Sequence, residues 1–426
     1  MNAFQISLSF LKQQKRFGNE SESEWVYKRS LNDLTYRLPE VAKLDPWIGF
    51  KELYRILKRR GQKKERIEKG HLLLVSTSNQ IKIAKEYVSA NLNSTETINP
   101  VSREDLKIPT SFSYLLFSLA VSIQCIWSKN RLNLALQIRE VMEWACVLKL
   151  MHENHLKSFI DFTPFEKDAN LLSLLLMEQG MDVMKIPSPG PLSAHHTHLI
   201  ATTVVCSSAY HLEEIAHFTN WTYSRILHWP PEQYHTYAHL YKNDNQSAKN
   251  SIAFYSHGEW VRRAEGHPDP GLGILENETF ILTELSAFLA SNKHITLVIY
   301  PHPKERKRND LLAHYAKLLS NCSFHIFEGE NPTAWNFLEE DIAIMAYSTL
   351  LFERLALGFK TLFVSIQASN FPLPSSPLNN ICIRSKAEFQ LKLKSAILES
   401  QNEFFEKNQL QAYLLSRFIA LKNDQD

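Results

Sequence analysis

Glycine is scarce in this chain, 12 residues in 426, where about 7% is usual for soluble proteins. No G-x-G-x-x-G or P-loop pattern occurs, so a phosphate bound here would be held by hydroxyls, imidazoles and helix ends instead of a glycine loop. Cysteine is scarce too. Its five copies, Cys125, Cys146, Cys206, Cys322 and Cys382, form no C-x-x-C pair; this predicts free, mostly buried thiols in a reducing compartment, with Cys206 and Cys322 inside core strands. Net charge is only +2, which argues against a nucleic-acid binder, because such proteins carry a strong basic excess. The greasiest run, SFSYLLFSLAVSIQCIW (Ser111 to Trp127), is interrupted by serines and a glutamine and falls short of the roughly 20 residues that span a bilayer. It reads as a buried helix, with a shallow membrane-facing helix beside Lys129 and Arg131 as the minor alternative. The opening MNAFQISLSFLKQQKRFG lacks the apolar core and cleavage site of a signal peptide. The expected location is cytoplasmic, with peripheral contact at the inner face of the membrane as a variant.

What is present is a globular composition, 44% apolar and 22% charged. A chain of 426 residues is too long for one ordinary core and fits two domains. The first seventy residues are charge-rich and helical in flavour, ending in KRRGQKKERIEK. HLLLVST (His71 to Thr77) is the first strand, and helices follow to about Glu153. SFIDFT gives a strand ending at Asp161, and KDANLLSLLLMEQG gives a helix closed by Gly180. MDVMKIPSP and LIATTVVCSS each give a strand, and AYHLEEIAHF a helix. The polar, aperiodic YKNDNQSAKN (Tyr241 to Asn250) is the linker. Alternation then restarts with SIAFYS, ENETFILTELSAFLASN, ITLVIYP, RNDLLAHYAKLLSN, CSFHIFEG, NPTAWNFLEE, DIAIMAY, STLLFERLALG and TLFVSI. KAEFQLKLKSAILES and NQLQAYLLSRFIALKN close the chain as helices. Regular strand–helix alternation predicts an α/β protein with two Rossmann-like domains facing across a cleft, 1–240 with a helical N-terminal extension and 251–426 with terminal helices.

In parallel α/β sheets, ligands bind outside the carboxyl ends of strands. In the second half the polar candidates fall there. Ser256, His257, Gly258 and Glu259 follow SIAFY; His302 and Lys304 follow ITLVIY; Glu328 follows SFHIF; Ser348 and Thr349 follow IAIMAY. A hydroxyl pair opening a helix suits a phosphate, since the first N–H groups lack partners and the dipole favours an anion. An N-cap without a ligand is the competing role. A capping box is absent, because Leu351 and Phe352 stand three positions on. Glu353 lies four after Thr349 on the same helix face, where it could reach ribose hydroxyls or serve a surface ion pair. His302 sits between Pro301 and Pro303, which fix its backbone; as a cation its imidazole would offset phosphate charge. Lys304 could assist, with the rest of the KERKR run a solvated helix start. Gly258 allows close backbone approach, and Arg262 in the loop SHGEWVRR suits an anionic sugar or phosphate.

In the first half the candidates for a general base are Asp161, at a strand end, then Glu166, with Asp168 nearby. Helix capping is the competing role of each. His195, His196 and His198 form a compact cluster, but no second cluster of cysteines or carboxylates pairs with it, so no metal is expected; contact with donor or acceptor is the alternative.

The pattern of His302-Pro303 at one strand end, then Ser348-Thr349 and a helix carrying Glu353, resembles the donor half of GT-B glycosyltransferases. It is most similar to bacterial sialyltransferases, polysialyltransferases and capsule Kdo transferases. The resemblance spans roughly Ser251 to Ser365. It implies that His302-Pro303 and Ser348-Thr349 bind the phosphate and cytidine of a CMP-sugar, and that Glu353 meets the ribose. Glu328-Gly329-Glu330 and Asp161 are imperfect matches to the acidic motif that supplies the base in such enzymes. Teichoic-acid glycerophosphotransferases, which use CDP-glycerol, are a neighbouring resemblance. The expected activity is metal-independent, inverting transfer of a sugar from a nucleotide donor, CMP-linked, to a bacterial surface glycan. Its partners would be the nucleotide sugar and an oligosaccharide or lipid-linked acceptor, with no cofactor and no nucleic acid. A CDP-glycerol-type polyol-phosphate transferase and a non-catalytic GT-B-like scaffold are the alternatives.

Overall fold

The structure is a computed structural model. It describes residues 46–58, 67–75, 78–91, 97–102, 112–127, 131–162, 167–186, 199–206, 221–228, 250–266, 273–329, 337, 340–346, 348–366 and 376–414. They divide into two compact units, one holding the described residues up to 228 and the other those from 250 on. The charge-rich N-terminal stretch, the helix expected at AYHLEEIAHF, nearly all of the linker and most of NPTAWNFLEE lie outside the described residues.

The first unit runs α1 (Ile48–Lys58), β1 (Gly70–Val75), α2 (Ser78–Asn91), β2 (Thr97–Ser102), α3 (Phe112–Trp127), α4 (Arg131–Glu153), β3 (Ser158–Asp161), α5 (Lys167–Glu178), β4 (Asp182–Lys185), β5 (Leu199–Ile200), β6 (Thr203–Cys206), β7 (Trp221–Thr222) and β8 (Arg225–His228). Its main sheet is parallel throughout, in the order β2-β1-β3-β4-β6-β8. The order reverses direction between β1 and β3, which puts the end of β3 at the switch point where ligands bind in such sheets. Gly180, with φ 73°, closes α5 as expected: its N–H donates to Met177 O and that of Met181 to Leu176 O.

Three expectations are corrected in this unit. A strand, β2, stands where only helices were expected. Pro100 inside it disguises it, and the fold tolerates the proline because β2 is an edge strand. LIATTVVCSS is two strands, since Thr202 turns the chain: its N–H and Oγ1 bind the backbone of Val183, and β5 pairs with β7 instead of joining the main sheet. The helix α3 is not buried all round. Ser118 and Ser122 face inward, with the Ser122 hydroxyl donating to Ser118 O, while Leu116, Leu119, Ile123 and Trp127 are exposed. Small serines permit close packing on α1 and α4, which explains why the polar side is the inner one. No helix among the described residues is long and apolar enough to cross a membrane.

The second unit runs β9 (Ser251–Tyr255), α6 (Glu259–Ala264), α7 (Ile274–Ser291), β10 (Thr296–Tyr300), a 3-10 turn (Glu305–Lys307), α8 (Leu311–Leu318), β11 (Phe324–Ile326), β12 (Ile342–Met345), α9 (Thr349–Ala356), β13 (Thr361–Val364), α10 (Leu378–Ile381), β14 (Cys382–Ile383), α11 (Lys386–Leu398) and α12 (Gln401–Lys407). The strands form one parallel sheet in the order β11-β10-β9-β12-β13-β14. Counted in chain order this is 3-2-1-4-5-6, the doubly wound arrangement of nucleotide-binding sheets. Its inner strands are near-continuous apolar runs because helices cover both faces; Ile252 to Tyr255, Ile342 to Met345 and Leu362 to Val364 are all buried. Both units are therefore Rossmann-like α/β folds.

Here too some readings change. SHGEWVRR is not a loop throughout: α6 starts directly after Gly258. The closing helix expected from Asn408 is preceded by a separate helix, α12, which starts in a Ser400–Glu403 capping box. Gln409 then adopts φ 57° and, among the described residues, a 3-10 turn, Gln411–Tyr413, follows; the rest of that expected helix lies outside them. Cys206 is buried in β6, but Cys322 is half-buried in the turn before β11.

Candidate functional site

The crevice of a 3-2-1-4-5-6 sheet opens between strands 1 and 4, here β9 and β12. Two of the loops singled out from sequence leave these strands, Ser256–Gly258 after β9 and Ser348 after β12. A third, Pro301–Lys304, leaves β10, the other neighbour of β9. Glu328 lies two residues beyond β11 and is exposed.

Gly258 is required on two counts. Its φ is 73°, and a Cβ there would lie 2.9 Å from the Cβ, Cγ and Nδ1 of His302. Glycine thus lets the β9 loop press against the histidine. The His257 and His302 rings lie nearly parallel, with centroids 6.4 Å apart.

The loop geometry leaves His302 placed to donate through Nε2. The Lys304 N–H donates to its Nδ1 at 3.2 Å, so the ring proton sits on Nε2. Burial, then Arg262, Lys304 and Arg306, hold its pKa below the usual value. His257 is pushed down to about 4 by burial, Arg262 and His302. Among the described residues His302 Nε2 has no partner, so it can offer an N–H to a ligand oxygen.

Below these loops lies a group that sequence reading missed. Glu305 belongs to the run taken as solvated, yet it is fully buried. Its Oε2 accepts from His302 N at 2.7 Å. Its Oε1 accepts from Trp260 Nε1 and from Tyr315 OH, the latter at 3.2 Å. The Ser256 hydroxyl lies 2.8 Å from Glu305 Oε1 and 3.1 Å from Oε1 of a second buried carboxylate, Glu278 on α7. Glu278 also accepts from the His257 N–H. Burial pushes Glu278 up to about 8, and Glu305 is raised as well. The only sequence signal was polar residues inside otherwise apolar helical and strand-end patterns.

Cations around the loops are already engaged. Arg262 lies 3.5 Å and Arg263 3.3 Å from the buried Glu259. The exposed Lys304 reaches Glu265 at 3.4 Å. Arg306 binds Pro301 O and Gly329 O, tying the β10 and β11 loops together.

After β12, Ser348 is an N-cap: its Oγ accepts from Leu350 N at 3.4 Å, a long bond. The Thr349 side chain lies outside the described residues. One turn on, burial raises Glu353 to about 7, and among the described residues its carboxylate has no hydrogen-bond or ion-pair partner. Its neighbour Arg354 is fully buried. Arg354 donates to Tyr255 OH, Thr361 Oγ1 and Lys360 O, and stacks over Phe337, Phe359 and Tyr255. It anchors α9 to β9 and β13.

In the first unit, Asp161 does end β3, but it is buried and receives a hydrogen bond from the buried Lys185 Nζ at 2.5 Å. The two residues face each other across the β3–β4 ladder. A carboxylate so placed has a structural partner that the sequence spacing did not announce. Glu166, His195, His196, His198 and Glu330 lie outside the described residues, as does the side chain of Asp168.

No protein-family model matches the chain, and no curated protein matches its sequence. Solved structures that resemble it include Acinetobacter baumannii MurG, at 10% identity over 84% of this chain and 100% of that one, TM-score 0.46. The UDP-GlcNAc 2-epimerase of Neisseria meningitidis bound to UDP-GlcNAc matches at 12% identity over 84% and 100%, TM-score 0.44. The Thermobaculum terrenum O-GlcNAc transferase matches at 9% identity over 83% and 69%, TM-score 0.38. At this level of likeness the fold assignment rests on the strand orders themselves.

Proposed function

We propose that this chain is a GT-B-type glycosyltransferase that moves a sugar from a nucleotide donor, CMP-linked, to a bacterial surface glycan by inversion and without a metal. The observation that carries this reading is the placement of the Ser256–Gly258, His302 and Ser348 loops around the β9–β12 switch point. There, His302 Nε2–H and the first N–H groups of α9 would meet charge developing on the leaving phosphate with preorganised donors. Glu353, one turn into α9 and without a hydrogen-bond or ion-pair partner among the described residues, would accept from ribose hydroxyls. Asp161 or Glu166 is the proposed base for the acceptor hydroxyl.

A thermal-shift titration of the full chain against CMP, CDP, UDP and GDP tests this. CMP is expected to stabilise, by about 2.7 kcal/mol at a hundredfold excess over Kd. His302→Ala is expected to keep the unliganded melting temperature, lose the CMP shift and lose transfer. A response to CDP alone would move the reading to a polyol-phosphate transferase, and a response to UDP alone to another donor. No response to any nucleotide, or full turnover in His302→Ala, would overturn it.

A further inference from the structure

We propose that Glu305 is the positioning residue of this site: as the ionised member of a buried glutamate pair joined by the Ser256 hydroxyl, it locks the β9 and β10 loops into one arrangement, with Glu278 holding the proton. As far as these loops receive a nucleotide phosphate, the inference rests on the function proposed above.

Hydrogen-bond accounting leads there. The Ser256 oxygen carries one proton and two lone pairs. Gly258 N donates to it at 3.1 Å, which uses one lone pair. Both carboxylates lie within reach, at 2.8 and 3.1 Å, yet the hydroxyl can donate to only one. Glu305 already accepts from Trp260, Tyr315 and His302 N; these donors favour its charged form. The hydroxyl proton therefore goes to Glu305, the closer partner, and Glu278 must donate to the second lone pair to avoid leaving two buried carboxylates without a shared proton. Glu278 can do so from Oε1, the oxygen that also accepts from His257 N, because a carboxyl O–H oxygen keeps acceptor capacity. The other charged or titratable groups around the pair are Glu259, Arg262 and Arg263 on α6, His257 and His302 on the loops, and Tyr315 on α8. None supplies a cation directly to either glutamate among the described contacts.

Four segments thus converge on one carboxylate: the β9 loop, α6, the β10 loop and α8. Losing its charge weakens the hold on the His302 N–H first, because Oε2 is the acceptor of that group, while the His302 carbonyl stays bound by Glu305 N and Arg306 N. Ionising Glu278 instead sets two anions on one hydroxyl and pushes the loops apart, so the arrangement fails on the alkaline side.

The test compares Glu305→Gln with Glu278→Gln in the full chain. Glutamine copies a protonated glutamate, so the two variants have opposite expected outcomes. Glu278→Gln should keep CMP affinity within about threefold and abolish its decline above pH 8, whereas Glu305→Gln should weaken CMP at least about tenfold at neutral pH. In a Glu353→Gln background, which removes the other carboxyl that holds a proton near pH 7, an infrared band for a protonated carboxyl should be present at pH 7 and absent once Glu278→Gln is added. Hydrogen exchange at Gly258 and His302 should accelerate in Glu305→Gln alone. Equal damage from both substitutions, or an infrared band that survives Glu278→Gln in that background, would overturn the proposal. The infrared and exchange readouts need no nucleotide, so a chain that binds none would defeat the functional reading while leaving this one standing or falling on its own.

Discussion

Asp161 and His302 each occupy a strand end, yet their surroundings give them opposite availability. His302 has one ring nitrogen engaged by Lys304 N and the other without a partner among the described residues, so the ring can turn a donor to a ligand. Asp161 has Lys185 Nζ on one oxygen, and both side chains are almost fully buried. Neutralising one member of such a pair strands the other charge in a poor solvent, at about 3–5 kcal/mol. Asp161→Asn is therefore expected to lower the stability of the first unit by about 3 kcal/mol in urea unfolding. The double variant Asp161→Asn with Lys185→Met should recover most of it. Loss of turnover with unchanged stability would instead make catalysis the main task of Asp161. Strand-end position was readable from sequence; the partner was not, because Lys185 belongs to a different strand, 24 residues away, and cross-strand register is a tertiary fact.

Among the elements, α9 carries the sharpest sequence signal and hides the least visible support. The strand IAIM, the Ser348 cap and the helix to Ala356 appear where apolar runs and the hydroxyl pair placed them. What holds the helix is Arg354, a residue that a surface pattern would leave in water. It is enclosed by Tyr255, Phe337 and Phe359, and its fork reaches Tyr255 OH, Thr361 Oγ1 and Lys360 O. Cation–π contacts and hydrogen bonds replace a carboxylate here. Arg354→Ala removes these and leaves a cavity, so the second unit should lose about 3 kcal/mol in urea unfolding, and Arg354→Lys somewhat less for want of the planar fork. An alanine variant within about 0.5 kcal/mol of the parent, the ordinary range for a surface site, would show that Arg354 anchors nothing. The same limit on legibility applies to β2, where a strand holding Pro100 is tolerated only at a sheet edge and edge position is not legible in sequence, and to α6, too short to show a period.

At the scale of the molecule, the buried site groups couple stability to pH, and their signs differ. Glu278 is held near 8 against an ordinary 4.5, so the folded state keeps a proton that the unfolded chain releases. That contribution is complete below the unfolded value and is lost as pH rises from about 4.5 to about 8. His257, near 4 against 6.5, works oppositely: its contribution is complete above 6.5 and is lost as pH falls toward 4. His302 is shifted the same way. Between about 4.5 and 6.5 the two kinds of group offset each other, while between 6.5 and 8 the histidines are silent and the glutamates remain. Glu353, near 7, is half-buried and adds only to the lower part of that window. One proton corresponds to about 1.4 kcal/mol per pH unit, so the second unit should lose about 2 kcal/mol from pH 6.5 to 8. In Glu278→Gln most of that slope should vanish, while the acid-side decline below 6.5, which belongs to the histidines, should steepen because the opposing glutamate is gone. Denaturant melts at half-unit steps from pH 5 to 8.5 would measure both limbs. A parent protein whose stability is flat or rising from 6.5 to 8 would mean that Glu278 does not keep its proton, and with it the single arrangement of the Ser256 hydroxyl between the two carboxylates.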